Sequence, residues 1–168
     1  MTPNALPDNP LLDFSGLPRF DTLMPGDVQP AITTLLAQDR ALIERFLPED
    51  WGDGYPNVWL GVTVENRRSG LRRMEHLRRI PAKLRFLSIE PLLEDMGQID
   101  FTGFAWIIIG GESGTKPRKM EQAWAESLIN QARGNGLPVF FKQHGGRGRD
   151  AGGCLLNGIE IKEWPKAA

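Results

Sequence analysis

The amino-acid sequence predicts an α/β fold built on a mainly parallel sheet. Strand-like and helical segments alternate from residue 57 onward, and this alternation is typical of α/β domains. Residues 104–110 are apolar almost throughout, as expected for a parallel strand that is covered on both faces. The 168 residues include enough Leu, Ile, Val and Phe to form a hydrophobic core, which excludes a wholly disordered chain.

Residues 1–46 differ in composition from the rest and are predicted to form a proline-rich arm followed by one amphipathic helix. Six of the thirteen prolines fall within the first thirty residues, which favours extended backbone up to Pro25. Apolar residues then recur at helical spacing from Val28 to Phe46, and Asp27 is a suitable N-cap. Residues 1–46 and 47–168 are therefore predicted to be separate domains.

The second domain is predicted to contain four strands, at residues 58–65, 84–90, 104–110 and 139–143. After the first strand, Ser69 is a suitable N-cap for a helix that Pro81 ends. A longer helix is predicted at residues 120–133, where Gly134-Asn-Gly136 terminates it. Asn157-Gly158 lies between two short apolar segments and predicts a β-hairpin.

The composition excludes several classes of protein. Cys154 is the only cysteine, so this chain alone forms no internal disulfide, CxxC zinc site or multi-cysteine iron–sulfur cluster. The two histidines lie far apart without an HExxH motif, so no metal site is predicted. No apolar run is long enough to span a bilayer and no signal segment is recognisable, which predicts a cytoplasmic protein without membrane contact. The net charge of −1 identifies no partner.

Acidic residues follow three of the predicted strands, at the carboxyl ends where parallel α/β folds gather their chemistry. The candidate catalytic residues are Glu65, Glu90 and Glu112, together with Lys142 in the fourth strand. Such a group could bind a cation, an amine or a sugar hydroxyl, or transfer protons. The cleft around them is predicted to include Asn66, Ser88, Gly110, Gly111, Ser113, Gln143 and His144. The competing interpretation is that strand-end acids are solvated loop residues or helix caps.

Two further patterns have both a functional and a structural interpretation. The glycine-rich residues 110–114 resemble a phosphate-cradling loop but match neither a complete GxGxxG nor a P-loop, and the alternative is a tight turn. Residues 67–85 hold eight basic residues and one acid, which suits either nucleic-acid phosphates or a solvated helix face. The nucleic-acid interpretation rests on Arg67, Arg68, Arg72, Arg73, Arg78 and Arg79.

From residue 47 to about residue 165 the sequence resembles the C-terminal half of an uncharacterised phage and prophage family, phage gene product thirty-seven/sixty-eight. The matching segments are LPEDWGDGYPNVWLGVTVEN (47–66), HLRRIPAKLRFLSIEPLLEDMG (76–97), WIIIGGESGTKPRKM (106–120), LPVFFKQHGG (137–146) and LLNGIEIKEWP (155–165). Full-length members carry a three-cysteine motif and are reminiscent of radical-S-adenosylmethionine enzymes on a partial TIM-like barrel. The resemblance therefore implies half of a TIM-like barrel and part of a cofactor or substrate cleft.

The resemblance does not extend to the cluster chemistry, because this chain lacks the three cysteines. We expect no cofactor in this chain alone. S-adenosylmethionine and an iron–sulfur cluster are expected only if a three-cysteine partner chain supplies the missing half. Half a barrel has an open sheet edge and an uncovered apolar face, which predicts self-association or marginal stability.

The first segment resembles a different family. Residues 9–45 are similar to the extreme N terminus of bacterial oligopeptidase A, a zinc metallopeptidase, through an NPLL opening, an LPxF step and a PxxVxPAI helix start. The HExxH motif of that family is absent from this chain, so no peptidase activity follows. Two partial resemblances that meet near Phe46 suggest a gene fusion.

Three functional hypotheses follow from these observations. The favoured one is a truncated remnant or regulatory fragment of the phage family, without radical catalysis. The second is a partial enzyme completed in trans by a three-cysteine partner chain. The third is a nucleic-acid-binding module that uses the basic stretch. The chain is not expected to be an active enzyme by itself.

Overall fold

The computed structural model describes Met24, residues 47–148 and residues 152–166. The chain divides into two compact units, Met1–Asp50 and Trp51–Ala168. The arm and amphipathic helix predicted for residues 1–46 lie outside the described residues, except for Met24. The architecture that follows therefore belongs to the second unit.

A four-stranded parallel sheet forms the centre of this unit. Its strands lie side by side in chain order: β1 (Trp59–Thr63), β2 (Leu84–Ile89), β3 (Trp106–Gly110) and β4 (Val139–Gln143). The register aligns Gly61 with Phe86 and Phe86 with Trp106, and it shifts between Ile109 and Gly110 at the end of β3. The predicted α/β class with a parallel sheet is confirmed, and β4 has the predicted bounds.

Helix α1 (Arg67–Arg79) connects β1 to β2. Its N-cap is Asn66, whose side-chain oxygen accepts a hydrogen bond from the Ser69 amide at 2.9 Å. The prediction of Ser69 as the cap is therefore wrong, because Asn66 already satisfies a free amide of the first turn. The helix ends just before Pro81, as predicted. The Arg85 guanidinium donates to the Ile80 carbonyl oxygen at 3.0 Å, where a cation suits the helix dipole.

Helix α2 (Gln122–Gly134) connects β3 to β4 and begins two residues later than predicted. Backbone hydrogen bonds from Gly136 to Arg133 and from Leu137 to Ala132 close its last turn. Gly136 has a φ of +71°, a conformation that favours glycine. This conformation explains why the Gly-Asn-Gly sequence terminates the helix.

The connection from β2 to β3 contains no helix and is a long loop at residues 90–105. It carries five buried apolar side chains, those of Leu92, Met96, Ile99, Phe101 and Phe104. The Gln131 side chain of α2 accepts a hydrogen bond from the Ile99 amide at 3.0 Å and donates to the Gly97 carbonyl oxygen at 2.9 Å. The loop therefore packs as a fixed part of the core.

The two faces of the sheet differ in composition. One face presents the fully buried side chains of Leu87, Ile89, Ile107, Ile109, Val139 and Phe141. Gly70 of α1 packs close to Val64, whose side chain lies on this face, as the right-handed crossover typical of parallel strands leads us to expect. On the other face Trp106 contacts the rings of Trp59, Phe86, Phe140 and Trp164, with centroids 4.8–6.2 Å away. We call these five rings the aromatic layer. Trp59 and Trp164 remain 38% and 60% exposed.

A two-stranded antiparallel hairpin follows the sheet, formed by β5 (Leu155–Leu156) and β6 (Ile159–Glu160). Asn157 and Gly158 have φ values of +51° and +77°, as a type I′ turn requires, so the predicted hairpin is confirmed. The Trp106 indole N–H then donates to the Glu163 carbonyl oxygen at 2.9 Å, which fixes the segment that carries Trp164. None of the helices within the described ranges has the length and apolar character needed to cross a bilayer.

Candidate functional site

A cleft of about 540 Å³ opens at the carboxyl ends of β2, β3 and β4. Its walls are formed by Glu90, Pro91, Gly111, Glu112, Ser113, Lys142 and Gln143. All of these except Pro91 belong to the residues that the sequence predicts for the site. The sheet brings them together because parallel strands end at the same edge.

Glu90 and Lys142 face each other in this cleft. The Lys142 ammonium donates to Glu90 Oε1 at 2.8 Å, and the side chains of Lys142 and Glu90 are 51% and 21% exposed. Glu90 follows β2 and must cross β3 to reach Lys142 on β4. Gly110 makes this crossing possible, since a Cβ there would lie only 3.2 Å from the Glu90 carboxyl carbon.

Gln143 fixes the loop that follows β3. Its buried side-chain amide donates to Ser113 Oγ at 2.5 Å and to the Gly111 carbonyl oxygen at 3.4 Å. Backbone hydrogen bonds from Gly111 to Gln143 (2.9 Å) and from Gly146 to Glu112 (2.8 Å) join this loop to the loop after β4. The cleft is therefore preformed by contacts within the protein.

Glu112 is held by Arg118, a residue that the sequence analysis missed. Arg118 donates to the Glu112 carboxylate from Nε at 2.8 Å, from a terminal guanidinium nitrogen at 2.7 Å and from its backbone amide at 2.7 Å. These hydrogen bonds, the side-chain ones foremost, lower the pKa of Glu112 to about 2. The two residues are six positions apart in a loop, where no periodicity relates them, so the sequence held no signal for the pair.

Glu65 does not line the cleft and pairs instead with Arg73 of α1. Its charge helps to raise the pKa of Arg118, behind the larger effect of the Glu112 hydrogen bond. Each of the three predicted strand-end acids therefore has a basic partner. The resulting site has paired charges rather than a concentration of negative charge.

Three other residues predicted for the cleft have different positions. Asn66 caps α1, in agreement with the competing structural interpretation. Ser88 is half-buried in β2, on the same face as the aromatic layer. His144 Nε2 lies 2.9 Å from the Leu155 carbonyl oxygen, and its ring packs against Phe141. His144 thus contacts the hairpin and does not line the cleft.

The arginines of α1 form two groups. Arg73 and Arg78 pair with acidic side chains of the same chain. Arg67, Arg68, Arg72 and Arg79 are exposed, and the spacing of the last three places them on one side of the helix. Glu75 is exposed on the same side, between Arg72 and Arg79, so one acid interrupts this basic surface.

The side chains present do not fit a three-thiolate cluster. Cys154 is the single cysteine, and its Sγ lies 3.7 Å from the Glu160 carboxylate near the hairpin. Within the part of the chain that the structure describes, no three His, Cys, Asp or Glu side chains are grouped so that they could hold a metal ion. Such a cluster would need ligands from another polypeptide.

Fold and site together define an α/β protein with a preformed polar cleft at the carboxyl edge of a parallel sheet. A family model described as a protein of unknown function (DUF5131) matches residues 28–165, so the chain belongs to the DUF5131 family. No curated protein and no solved structure matches the chain. The matched range includes Phe46, so it gives no support to a fusion junction at that residue.

Proposed function

We propose that this protein binds a small polar molecule in the cleft at the carboxyl ends of β2, β3 and β4. The observation that carries the proposal is the convergence of polar side chains from three neighbouring strand ends, namely Glu90, Glu112, Ser113, Lys142 and Gln143. Ligands of open parallel sheets and of TIM barrels bind at this edge. The volume of about 540 Å³ suits a ligand, since such pockets span roughly 300–1,000 Å³.

The Glu90–Lys142 pair indicates the chemistry of the ligand. A ligand amine or hydroxyl can donate to Glu90, while a ligand carboxylate or hydroxyl can accept from Lys142. Both side chains are accessible, and exposed ion pairs contribute little stability, so a ligand can separate them at small cost. The proposed ligand therefore carries amino, hydroxyl or carboxylate groups.

Binding assays with matched variants test this proposal. The full chain is screened by thermal shift and calorimetry against S-adenosylmethionine, which the family resemblance implies, and against panels of amino acids, sugars and nucleotides. We expect Glu90→Gln and Lys142→Met to weaken binding of a hit by roughly tenfold or more, because charge-assisted hydrogen bonds are lost. The control removes a similar ion pair outside the cleft, Lys119–Glu121, with Lys119→Met and Glu121→Gln.

Two results would overturn the proposal. One is the absence of any ligand across the whole screen. The other is a ligand whose affinity falls as much in the Lys119 and Glu121 variants as in the Glu90 and Lys142 variants.

We further propose that the sheet is half of a TIM-like barrel. Four parallel strands in chain order, with side chains for binding at their carboxyl ends, support this. The outer side of β4 is covered by residues 161–163, whereas β1 has no second strand partner among the described residues. We expect a second copy or a partner chain to associate along β1. Sedimentation measurements test this, and a chain that is monomeric at high concentration and also highly heat-stable would contradict it.

As the sequence resemblance implies, we propose that the chain is a phage-derived remnant or regulatory fragment that performs no radical chemistry alone. The alternative is a partial enzyme that receives its cluster from a three-cysteine chain. Co-expression with a neighbouring three-cysteine reading frame distinguishes them. Co-purification with an iron–sulfur absorption band supports the alternative, and the absence of both supports the fragment.

Nucleic-acid binding is a second candidate function, favoured by the exposed row of Arg68, Arg72 and Arg79. Three phosphate contacts predict that the logarithm of the association constant for duplex DNA falls with the logarithm of salt concentration with a slope of about −2.7. Replacing all three arginines by glutamine should remove this dependence in fluorescence anisotropy. The same change at Lys83, Lys119 and Lys166 should not. Equal effects of the two triple variants would exclude a site on α1.

A further inference from the structure

The cleft at the carboxyl ends of β2, β3 and β4 contains hydrogen-bonding groups that no described residue satisfies. Gln143 supplies one of them. This residue is only 8% exposed, and its amide nitrogen donates to the Gly111 carbonyl oxygen and to Ser113 Oγ. Because the Gly111 carbonyl oxygen can only accept, the nitrogen of the Gln143 amide must face it. The side-chain oxygen of Gln143, Oε1, is therefore fixed as an acceptor.

Gln143 Oε1 forms no hydrogen bond with any residue that the structure describes. Within the described ranges, the solvent-inaccessible side-chain atoms without a partner are Arg73 Nε and His76 Nδ1, so Gln143 Oε1 is accessible from the cleft that this residue lines. A donor stands beside it, because Ser113 Oγ accepts from Gln143 and keeps its own proton. We call Gln143 and Ser113 the amide–hydroxyl pair, since they present one acceptor and one donor together.

Glu90 and Lys142 present a second combination of acceptor and donor. Their 2.8 Å hydrogen bond uses Glu90 Oε1 and one of the ammonium protons of Lys142. Glu90 Oε2 forms no hydrogen bond with a described residue, and further ammonium protons remain on Lys142. We call these two residues the ion pair of the cleft. Each of the two pairs is therefore matched by a ligand group that both donates and accepts.

A hydroxyl group donates and accepts hydrogen bonds through the same atom. An ammonium group only donates, so at the ion pair it would satisfy Glu90 and repel Lys142. A carboxylate only accepts, so it would repel Glu90 and leave Gln143 Oε1 without a donor. Glu112, the other acid that lines the cleft, is already neutralised by Arg118. The paired charges of the cleft therefore favour a ligand without net charge.

We propose that the cleft binds an uncharged polyol, with one hydroxyl group on the ion pair and another on the amide–hydroxyl pair. Free sugars and the ribose of nucleosides are two sources of this chemistry. The inference rests on the proposed function and narrows it from amino, hydroxyl or carboxylate groups to hydroxyl groups. A charged relative of the same ligand binds less tightly, because one member of the ion pair repels its charge.

Calorimetry on the full chain with two sets of matched probes tests the inference. D-glucose, D-glucosamine and D-glucuronate share one ring and are neutral, cationic and anionic, whereas dideoxyadenosine lacks the adjacent ribose hydroxyls of adenosine. If the ligand is a free sugar, the wild type should bind glucose more tightly than either charged sugar. If it is a nucleoside, adenosine should bind more tightly than dideoxyadenosine. Binding of neither glucose nor adenosine, or tighter binding of their counterparts, would refute the polyol.

Variants of the ion pair should change the preferred charge of the sugar. Lys142→Met leaves the Glu90 carboxylate without its cation, so glucosamine should then bind more tightly than glucose. Glu90→Gln leaves the Lys142 ammonium without its anion, so glucuronate should then bind more tightly than glucose. An unchanged order of the three sugars in both variants would contradict contact between the ligand and the ion pair.

Ser113→Ala tests the amide–hydroxyl pair. It removes the donor of this pair, while Gln143 keeps its hydrogen bond to the Gly111 carbonyl oxygen. Binding of the polyol should weaken roughly two- to tenfold, because one hydrogen bond is lost. The matched control is Thr115→Ala, which removes an exposed hydroxyl from the same loop outside the cleft and should bind as the wild type does. Equal affinities in the two variants would exclude a hydrogen bond from Ser113 to the ligand.

The outcomes separate this inference from the proposed function. If the ligands found in the screen carry a net charge or lack hydroxyl groups, and Glu90→Gln and Lys142→Met weaken them, the polyol is refuted and the proposed function stands. If no compound of the screen binds, both fail. If Ser113→Ala weakens a polyol that Glu90→Gln and Lys142→Met leave unaffected, the proposed role of the ion pair fails.

Discussion

The structure predicts a specific loss of stability for the substitution Gly111→Ala. Gly111 lies at the point where the backbone after β3 approaches the backbone after β4 most closely. A Cβ at this position would lie 2.6 Å from the His144 carbonyl carbon, nearer still to its oxygen, and 3.0 Å from the Gly145 nitrogen, whereas ordinary contact begins at 3.4 Å. Because all of these are backbone atoms, no rotation of a side chain relieves the overlap.

The cost can be worked out from what holds the two loops together. Moving them apart breaks the hydrogen bonds from Gly111 to Gln143 and from Gly146 to Glu112. Losing two such bonds costs about 1–3 kcal/mol. Strain from overpacking adds about 1–3 kcal/mol. We therefore expect the free energy of unfolding to fall by about 2–6 kcal/mol. For a chain of this size the melting temperature should fall by roughly 5–20 °C.

Urea denaturation followed by circular dichroism measures this change, and Gly134→Ala is the matched control. Gly134 ends α2 with an ordinary φ, and the Cβ of an alanine there would have no neighbouring atom within 4 Å. Alanine at this position should leave the free energy of unfolding unchanged or raise it by about 0.4–1 kcal/mol. If Gly111→Ala lies within about 0.5 kcal/mol of the wild type, the close approach of the two loops is refuted.

Four other outcomes are expected. Arg118→Gln should raise the pKa of Glu112 from about 2 toward its usual value of 4.5, because it removes the side-chain hydrogen bonds that favour the ionised carboxylate and leaves only the one from the backbone amide; a carbon-13 NMR titration measures this. In the wild type the stabilising effect of Glu112 is complete above pH 4.5 and is lost as the pH falls to about 2, since the folded-state pKa is the lower one. Asn66→Ala should lower the free energy of unfolding by about 1 kcal/mol through loss of the cap; weaker binding in the cleft would contradict its purely structural role. Gly110→Ala should weaken ligand binding more than stability, because the Glu90 carboxyl group must shift by a few tenths of an ångström, which the protein tolerates but which moves that group within the cleft; calorimetry on a cleft ligand checks this.

The fold could be predicted from the sequence where burial and backbone preference agree. The bounds of β4 were predicted because β-branched and aromatic residues stand between the chain-stiffening Pro138 and a glycine pair. The start of β3 was predicted two residues early. Phe104 is buried like a strand residue, but its amide donates to the Phe101 carbonyl oxygen in a turn. Apolar composition reports burial and does not distinguish a strand from a buried loop.

The residues of the candidate site could be predicted from the sequence only where the topology of the sheet brings them together. The rule that parallel strands end at one edge identified Glu90, Glu112 and Gln143, because it depends only on topology. The rule could not predict that one of the acids, Glu65, would lie outside the cleft. Glu65 is drawn toward Arg73, and Glu112 is fixed by Arg118 from an irregular loop. Such pairings depend on three-dimensional distances that no spacing along the chain encodes.

Two glycines on the face of the sheet that carries the aromatic layer explain how the same strands provide both stability and a cleft. The ring of Phe86 lies over Gly61 of β1, while the carboxyl group of Glu90 lies over Gly110 of β3. Phe86 of β2 thus extends over β1, whereas Glu90, directly after β2, extends over β3. Phe86 fills the face with the aromatic layer, where rings contribute packing. Glu90, at the carboxyl end, contacts a lysine whose ammonium a ligand can replace. The residue that packs the sheet is therefore separated along the chain from the residue that lines the cleft, so we expect substitution of Glu90 to change binding of the proposed ligand without unfolding the protein.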